Sequence, residues 1–544
     1  MTASFWKDEV PSLLGRIRAS LPVGFESELK NVVVLGVPAI LSHLTVLSAS
    51  VVSTLFCGHL GRVELDAVSL AIAVVNVTGI SVGSGLSSAC DTLISQTFGA
   101  GNLLRVGVIV QRTSLILLLT CFPCWALLVN TESILLLLGQ QPEVARLSQL
   151  YVKIFMPALP ATFMYQLQSG YLQNQGVIWP QVMTGVAANL LNVYVNYVVV
   201  FVFHTGVVGS ALANVVSQFS MAGILFAYIL WKGLHKRTWG GWSRDCLEGW
   251  GPFIRLALPS LLMMCVEWWT FEISVFLAGL ISEAELGAQS IVYQLSNCAY
   301  MFPLGFSQAG AVRVGNALGA GDTQLAKLAA KLAIFCAALV SLCLAIVIGS
   351  LRHQIAFVFT YDEQIRVRVA EVLMFYAPFI LMEAILAATG GIVRGTGKQK
   401  IGALCNILGY YGLCLPLGVP LMFKTKLGIK GLWTGFCASA SVQCCFLVIY
   451  LAKMNWDKVT LEAQMRAGVA GSSEDPQQES DSYELLVLKE EEDQEEEEEE
   501  EAAPAAAVRA PDQYLVRRGL VVALMLAVTV AGIVADRLLT KRLN

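Results

Sequence analysis

The sequence predicts an all-α polytopic membrane protein: two six-helix lobes related by a parallel pseudo-two-fold repeat, plus one extra C-terminal transmembrane helix. Three observations carry this expectation. Of 544 residues, 56% are hydrophobic and only 14% are charged, with a mean hydropathy of +0.64; soluble domains carry about a quarter charged residues. Apolar stretches of the roughly 20 residues a helix needs to cross a bilayer recur along the chain. The first half of the sequence also returns, in order, in the second.

The apolar stretches fall near 32–56, 66–94, 106–128, 148–170, 181–202, 207–231, 255–280, 285–308, 326–349, 369–392, 402–423 and 428–452, with a thirteenth at 519–536. They divide the chain into a cytoplasmic N-terminal segment (1–30), an N-lobe (31–235), an inter-lobe connection (236–254), a C-lobe (255–453), an acidic disordered linker (454–515) and a last span with its tail (516–544). Residues 1–30 mix Lys7, Asp8, Glu9, Arg16, Arg18, Glu26 and Lys30 without a sustained apolar core, so no cleavable signal peptide is expected. The stretch from Val32 serves as its own insertion signal.

Basic connections assign the sides. Lys232, Lys236, Arg237 and Arg244 form one, and Arg394, Lys398 and Lys400 another. Both fall on the cytoplasmic side if the N-terminus is cytoplasmic, with Arg352, Arg366 and Arg368 as outer exceptions. The thirteenth span then carries Asn544 outside.

One segment dominates the net charge of −4. Glu474–Glu501 holds 16 acidic residues and Lys489, a local charge of −15, which leaves +11 for the rest. The run Glu490–Glu501, followed by Ala502–Ala507 with Pro504, reads as a disordered tether. The 14 cysteines lie mostly in apolar stretches. Cys121 and Cys124 have a redox or metal spacing, but within a membrane span they read as buried free thiols.

The internal repeat runs at shifts of 220 to 222 residues. Gly85-Leu-Ser-Ser-Ala89 returns as Gly305-Phe-Ser-Gln-Ala309, and Gly99-Ala-Gly101-Asn102 as Gly319-Ala-Gly321-Asp322. Glu64-Leu-Asp-Ala-Val-Ser69 returns as Glu285-Leu-Gly-Ala-Gln-Ser290, Pro38 as Pro259, Pro157 as Pro378, and Gly206-Val-Val-Gly209 as Gly428-Ile-Lys-Gly431. Six spans per copy give both copies the same orientation, an arrangement suited to rocking between two access states. Duplicated halves also build some channels and flippases, so the repeat points to a carrier-like protein without naming its cargo.

An ionisable side chain at mid-bilayer costs roughly 2.5–3.5 kcal/mol on insertion scales. Three glutamates stand there: Glu267 and Glu272 in Cys265-Val-Glu-Trp-Trp-Thr-Phe-Glu-Ile-Ser274, and Glu383 in Leu381-Met-Glu-Ala-Ile385. The repeat places Val46, Val51 and Thr162 opposite them, so the shared scaffold does not demand these acids. Five residues turn a helix by about 140°, which puts Glu267 and Glu272 on different faces. Phe271 lies one turn from Glu267, and Trp268 one turn from Glu272, giving each acid an aromatic neighbour. Carboxylate plus aromatic wall attracts a desolvated organic cation. A carboxyl in a low-dielectric site also binds a proton readily and yields it to a neighbouring cation, so one site can exchange the two.

Other polar positions are cavity candidates beside plainer readings. His43 either titrates near neutral pH or packs through a hydrogen bond. Asn76 and Asp91 fall in the second span; the sequon at Asn76-Val-Thr78 lies too deep for glycosylation. Tyr293 and Tyr300 line the same cavity or simply pack. Trp239, Trp242 and Trp250 fit an interfacial aromatic belt. Gly395-Thr-Gly-Lys398 imitates a phosphate loop, but Ile392 stands where the first glycine belongs and Gln399 where Ser or Thr does. No ATP engine, cofactor, metal cluster, catalytic motif or nucleic-acid face is legible.

Phe56-Cys-Gly-His-Leu-Gly61, Gly85-Leu-Ser-Ser-Ala-Cys-Asp-Thr-Leu-Ile-Ser-Gln96, Pro157-Ala-Leu-Pro-Ala161, Glu267-Trp-Trp269 and Val312-Arg-Val-Gly-Asn-Ala-Leu-Gly-Ala-Gly321 resemble the vertebrate branch of the multidrug and toxin extrusion family. The likeness covers about residues 30–455 and extends to the extra span after a long linker. It implies an electroneutral antiporter of protons and small organic cations, working as a monomer at an apical epithelial plasma membrane such as kidney tubule or bile canaliculus. Glu267, Glu272 and Glu383 match the family's acidic positions. Two positions depart: Gln294 stands where glutamate is common, and His43 where glutamine is. Tyr483-Glu-Leu-Leu486 and Asp481 with Leu485-Leu486 fit short sorting signals. A sodium-coupled carrier on the same scaffold and a lipid-linked oligosaccharide flippase of related architecture remain alternatives; the flippase calls for a cationic cavity rather than acids and aromatics.

Overall fold

A computed structural model describes residues 24–58, 60–360, 362–425, 427–469 and 511–543. The acidic run and the sorting motifs around Tyr483 lie outside the described residues. Among those described, regular structure is helical throughout.

Six long helical passes form the first half: α1 (Phe25–Gly58), α2 (Arg62–Val75 and Ser81–Gly99 around a π-helical turn, Asn76–Ile80), α3 (Leu103–Val129), α4 (Pro142–Phe155 and Leu159–Asn174 around a 3-10 turn, Met156–Ala158), α5 (Trp179–Asn196 running into a π turn, Tyr197–Val202) and α6 (Val207–Trp231). The second half repeats the plan with α7 (Trp250–Gly279), α8 (Glu283–Gly319), α9 (Thr323–Ser350), α10 (Glu363–Thr396), α11 (Gln399–Asn406 and Leu415–Lys424 around a π segment, Ile407–Cys414) and α12 (Ile429–Lys453). A short α13 (Trp456–Ala467) and a long α14 (Pro511–Leu543) follow.

Local chemistry sets the ends. Ser282 caps α8 by accepting from Glu285 N at 3.2 Å, Asp322 caps α9 through Leu325 N at 2.9 Å, and Asp362 caps α10 through Gln364 N at 2.8 Å. The imitation phosphate loop is a helix end: Gly397 takes φ 79 as the left-handed C-cap of α10. The repeat reaches backbone level, since Gly206 (φ 60, ψ −134) and Gly428 (φ 58, ψ −136) open α6 and α12 in the same conformation, one that side chains exclude.

Among the described residues, eleven helices are long and apolar enough to cross a membrane by length and composition. The α4 and α8 passes fall outside that set, being rich in Gln and Asn (Gln149, Gln166, Gln168 and Gln173; Gln289, Gln294, Asn297, Gln308 and Asn316). The helices are longer than the apolar stretches alone because polar turns extend them at both ends.

Packing between the halves follows the repeat. α1 lies on α8 and α7 on α2, contacts that exchange when the halves are swapped, and α1·α5 and α7·α11 exchange likewise. In lipid, helices associate through close packing of small residues. Gly99 leaves room for the Asn316 backbone, and its repeat partner Gly319 for the Gln96 backbone. Hydrogen bonds gather at this same end: Gln96 Nε2 to Gly395 O at 2.9 Å, Thr92 Oγ1 to Arg394 O at 2.8 Å and Gln399 Nε2 to Thr92 Oγ1 at 2.8 Å.

Three expectations are corrected here. The linker does not start at 454: Trp456, Val459, Thr460, Ala463 and Ala467 make one buried stripe on α13. That helix docks through Lys398 Nζ to Glu462 at 2.8 Å, Arg466 Nη2 to Thr396 O at 3.2 Å and Asn102 Nδ2 to Ala467 O at 3.1 Å. Trp250 is not a belt residue but is buried, with the Arg518 guanidinium 4.0 Å from its ring centroid. Arg394, read as part of a basic connection, is the half-buried last turn of α10. The expected free thiols at Cys121 and Cys124 are free and buried.

Candidate functional site

The three glutamates stand on two helices of the second half, α7 and α10, and α8 supplies hydroxyls to two of them. Tyr300 donates to Glu267 Oε1 at 3.0 Å, and Tyr293 donates to Glu272 Oε1 at 2.9 Å. Seven residues separate the tyrosines, two turns that bring them to the same face of α8. The two acids lie about 140° apart on α7, yet each is bonded by a tyrosine of that face.

Glu383 on α10 is 5% exposed, and its Oε2 has no hydrogen-bond partner among the described residues. It lies within electrostatic range of Glu267, and Tyr300 and Tyr410 lie within range of both acids. Leaving a buried carboxylate oxygen without a donor is costly, so the acid is suited to carry a proton or face a mobile cation.

The aromatic wall stands beside Glu272. Phe271 stacks on Phe436 with centroids 4.9 Å apart at 10°, and on Tyr293 at 6.3 Å and 25°. Behind it, Trp433 packs edge-on against Tyr376 and Phe379, both at 5.4 Å, and donates from Nε1 to Gln289 Oε1 at 2.9 Å. This layer, in which Phe436 is fully buried, holds Phe271 and Tyr293 in register.

Helical spacing paired Glu267 with Phe271 and Glu272 with Trp268; the hydroxyl partners instead come from across the helix interface. Trp268 is half-buried on α7, and Asn76 is half-buried in the π turn of α2. The turn itself meets α7, where Trp269 Nε1 donates to Val77 O at 3.3 Å. Gln294 is exposed, about 100° round α8 from Tyr293, and so faces away from Glu272. His43 on α1 lies beside Gln308 of α8, some 12 Å along that helix from Tyr300 at 1.5 Å per residue. Asp91 accepts from Asn174 Nδ2 at 3.0 Å.

Tyr410, Phe436 and Arg394 were not among the sequence candidates. Tyr410 sits in the π segment of α11, where side-chain direction departs from α-helical spacing. Phe436 looks like any apolar α12 residue in the sequence. Arg394 donates to Ser307 Oγ at 3.1 Å and lies within electrostatic range of both Asp91 and Glu267. Among the described residues no cluster of three or more His, Cys, Asp or Glu could hold a metal ion.

Comparison with known proteins completes the picture. A family model described as MatE matches twice, over residues 38–198 and 259–419, beginning at the two prolines the repeat aligns. Multidrug and toxin extrusion protein 1 of Danio rerio is 55% identical over 551 residues, covering 97% of this chain and 93% of that protein. Multidrug and toxin extrusion protein 1 of Homo sapiens is 52% identical over 445 residues, covering 82% and 78%. The crystal structure of a eukaryotic MATE transporter, AtDTX14, superposes with a TM-score of 0.79 at 29% identity, over 82% of this chain and 100% of that one. An outward-facing MATE family transporter of the MOP superfamily shares the fold with a TM-score of 0.69 at 20% identity, over 82% and 97%.

Fold and matches define a multi-pass membrane transporter rather than an enzyme. The chain belongs to the multidrug and toxin extrusion family, the MatE family of transporters.

Proposed function

We propose that the protein exports small organic cations in exchange for protons by alternating access, without ATP. The observation that carries this reading is the trio of acids in the second half: half-buried Glu267 and Glu272 are held by tyrosine hydroxyls, and buried Glu383 has an oxygen without a donor among the described residues, with a stacked aromatic cluster at Glu272. Protonation of Glu267, Glu272 or Glu383 from outside releases the cation there; the proton's departure inside restores the negative site that recaptures one. Proton and cation thus occupy one place by turns, and their opposed movements are coupled through charge.

In this reading residues 31–235 and 255–453 act as two rocking lobes, working as a monomer at an apical plasma membrane. The N-terminus is cytoplasmic and the C-terminus extracellular. The end where Gln96, Thr92 and Gln399 join the halves is then cytoplasmic, which makes this conformation closed inside. A conformation open inside has to break those three bonds.

The test is proton-driven uptake of a labelled organic cation into vesicles. Glu267→Gln abolishes it with surface expression intact; undiminished transport removes Glu267 from the mechanism. Sodium in place of the proton gradient drives nothing.

A further inference from the structure

The first half carries a polar seam that the acid site does not use. Ser84, Ser88 and Asp91 share one stripe of α2, and Gln166, Gly170 and Gln173 share one stripe of α4, each set spaced by three or four residues. The stripes are tied at both ends, by Gln166 Nε2 to Ser84 Oγ at 2.9 Å and by Asn174 Nδ2 to Asp91 Oδ1 at 3.0 Å. α8 closes the seam where Gln173 Nε2 donates to Gln308 Oε1 at 2.8 Å.

Between the ties, polar atoms are buried and unpartnered. Gln166 spends its amide N–H on Ser84, and its Oε1 has no donor among the described residues. Ser88, 7% exposed, has an Oγ unpaired among the described residues. Buried polar groups are otherwise almost always satisfied, so such a group marks a place where hydrogen bonds are made to something besides protein. Asn174 takes Oδ1 of Asp91, and the two unpartnered atoms between the ties, Gln166 Oε1 and Ser88 Oγ, are neutral, the amide oxygen able only to accept.

The seam adjoins the acids. Cys265 on α7 lies 3.6 Å from Ser81 Oγ on α2, which levels the Glu267 stretch with Ser81. Ser84 and Ser88 follow about 5 and 10 Å further along α2 at 1.5 Å per residue, within the length of one drug-sized molecule.

We propose that this seam is a second contact region for the transported molecule, a neutral subsite that accepts hydrogen bonds from N–H groups of guanidinium and primary ammonium substrates. The inference rests on the cation-export reading above and adds a division of labour. The acids of the second half hold positive charge of any kind, and the α2–α4 seam distinguishes cations that carry N–H donors from those that do not.

The test compares two labelled cations in proteoliposomes of the full chain under an imposed pH gradient: phenylguanidinium, with N–H donors, and tetraethylammonium, with none. Gln166→Leu raises KM for phenylguanidinium about tenfold, the effect of one hydrogen bond from a charged donor, and leaves the tetraethylammonium KM within about twofold. Ser88→Ala, which cuts neither tie, moves the same ratio in the same direction by about threefold. Wild-type transport of both cations, with the KM ratio unchanged in both variants or both substrates affected alike, overturns the subsite alone. If the wild type moves neither cation on a proton gradient, the export reading falls and the subsite with it.

Discussion

Tyr300 on α8 and Glu267 on α7 are joined by a 3.0 Å hydrogen bond, with Tyr300 also in electrostatic range of Glu383. The hydroxyl orients one carboxylate oxygen, and in the proposed exchange the other takes the proton or cation. Tyr300→Phe keeps the ring and removes the donor, so kcat/KM for proton-driven cation transport falls about tenfold, the worth of a hydrogen bond to an ionised group. Kinetics in vesicles under an imposed pH gradient measure it, with protein abundance as the control. Wild-type kinetics in this variant would separate the pair from transport.

Glu383 and Trp433 should part stability from function. Glu383→Gln replaces a buried carboxyl whose Oε2 has no donor among the described residues, so the melting temperature holds or rises while proton-driven exchange is lost. Trp433→Ala empties the centre of a fully buried aromatic layer and destabilises by about 3–5 kcal/mol. Thermal unfolding in detergent, run beside the flux assay, distinguishes the two outcomes.

α13 is a docked part of the fold. Trp456 is 8% exposed and donates from Nε1 to Leu451 O at 3.1 Å, so Trp456→Ala lowers the melting temperature by several degrees. An exposed position on the same helix, such as Asp457→Ala, shifts it by less than about a degree.

α14 is seated on α3. A side chain at Gly532 would meet the Cα of Ala126 at 2.8 Å, Asn130 Nδ2 donates to Gly532 O at 3.0 Å, and Thr529 Oγ1 donates to Phe122 O at 3.0 Å. Gly532→Leu therefore lifts α14 from α3. Cross-linking between cysteines placed at Val528 and on the facing turn of α3 forms readily in the parent protein and fails in this variant.

Cys246, in the connection before α7, is 5% exposed. Burial pushes its thiol up, and the nearby Arg112 guanidinium pulls it only partly back. A raised value means little thiolate at neutral pH, so maleimide alkylation is slow at pH 7 and accelerates as pH rises above the ordinary thiol range. Peptide mapping of alkylated protein across pH 6.5–9.5 checks the sign, against a free model thiol as the reference for about ordinary reactivity. Fast alkylation at pH 7 would contradict it.

Much of the candidate site was legible because charge in a hydrocarbon setting stands out without structural help. Glu267, Glu272 and Glu383 were visible for that reason, and the repeat showed that the scaffold does without them. The tyrosines were candidates on proximity alone. Nothing in one-dimensional spacing says that the hydroxyls of α8, rather than Trp268 and Phe271 on α7 itself, meet the acids. Tyr410 was hidden by the π segment, which breaks the periodicity that sequence reading depends on. The polar seam between α2 and α4 was hidden for a related reason: serine and glutamine are common enough in helices that only unpaired burial sets them apart.

The sequence by itself determined that the chain is membrane-embedded, all-helical and duplicated, because each of these properties is a pattern along one dimension: long apolar runs, recurring motifs, prolines and glycines at matched shifts. Only the tertiary structure decided which helix faces which, that Gly99 and Gly319 let α2 and α8 cross closely, that residues 456–467 fold back as a helix, and which hydroxyl serves which acid. Those are facts about side chains more than a hundred residues apart, or on helices whose rotation is set by packing, and close packing is settled only when all partners are present.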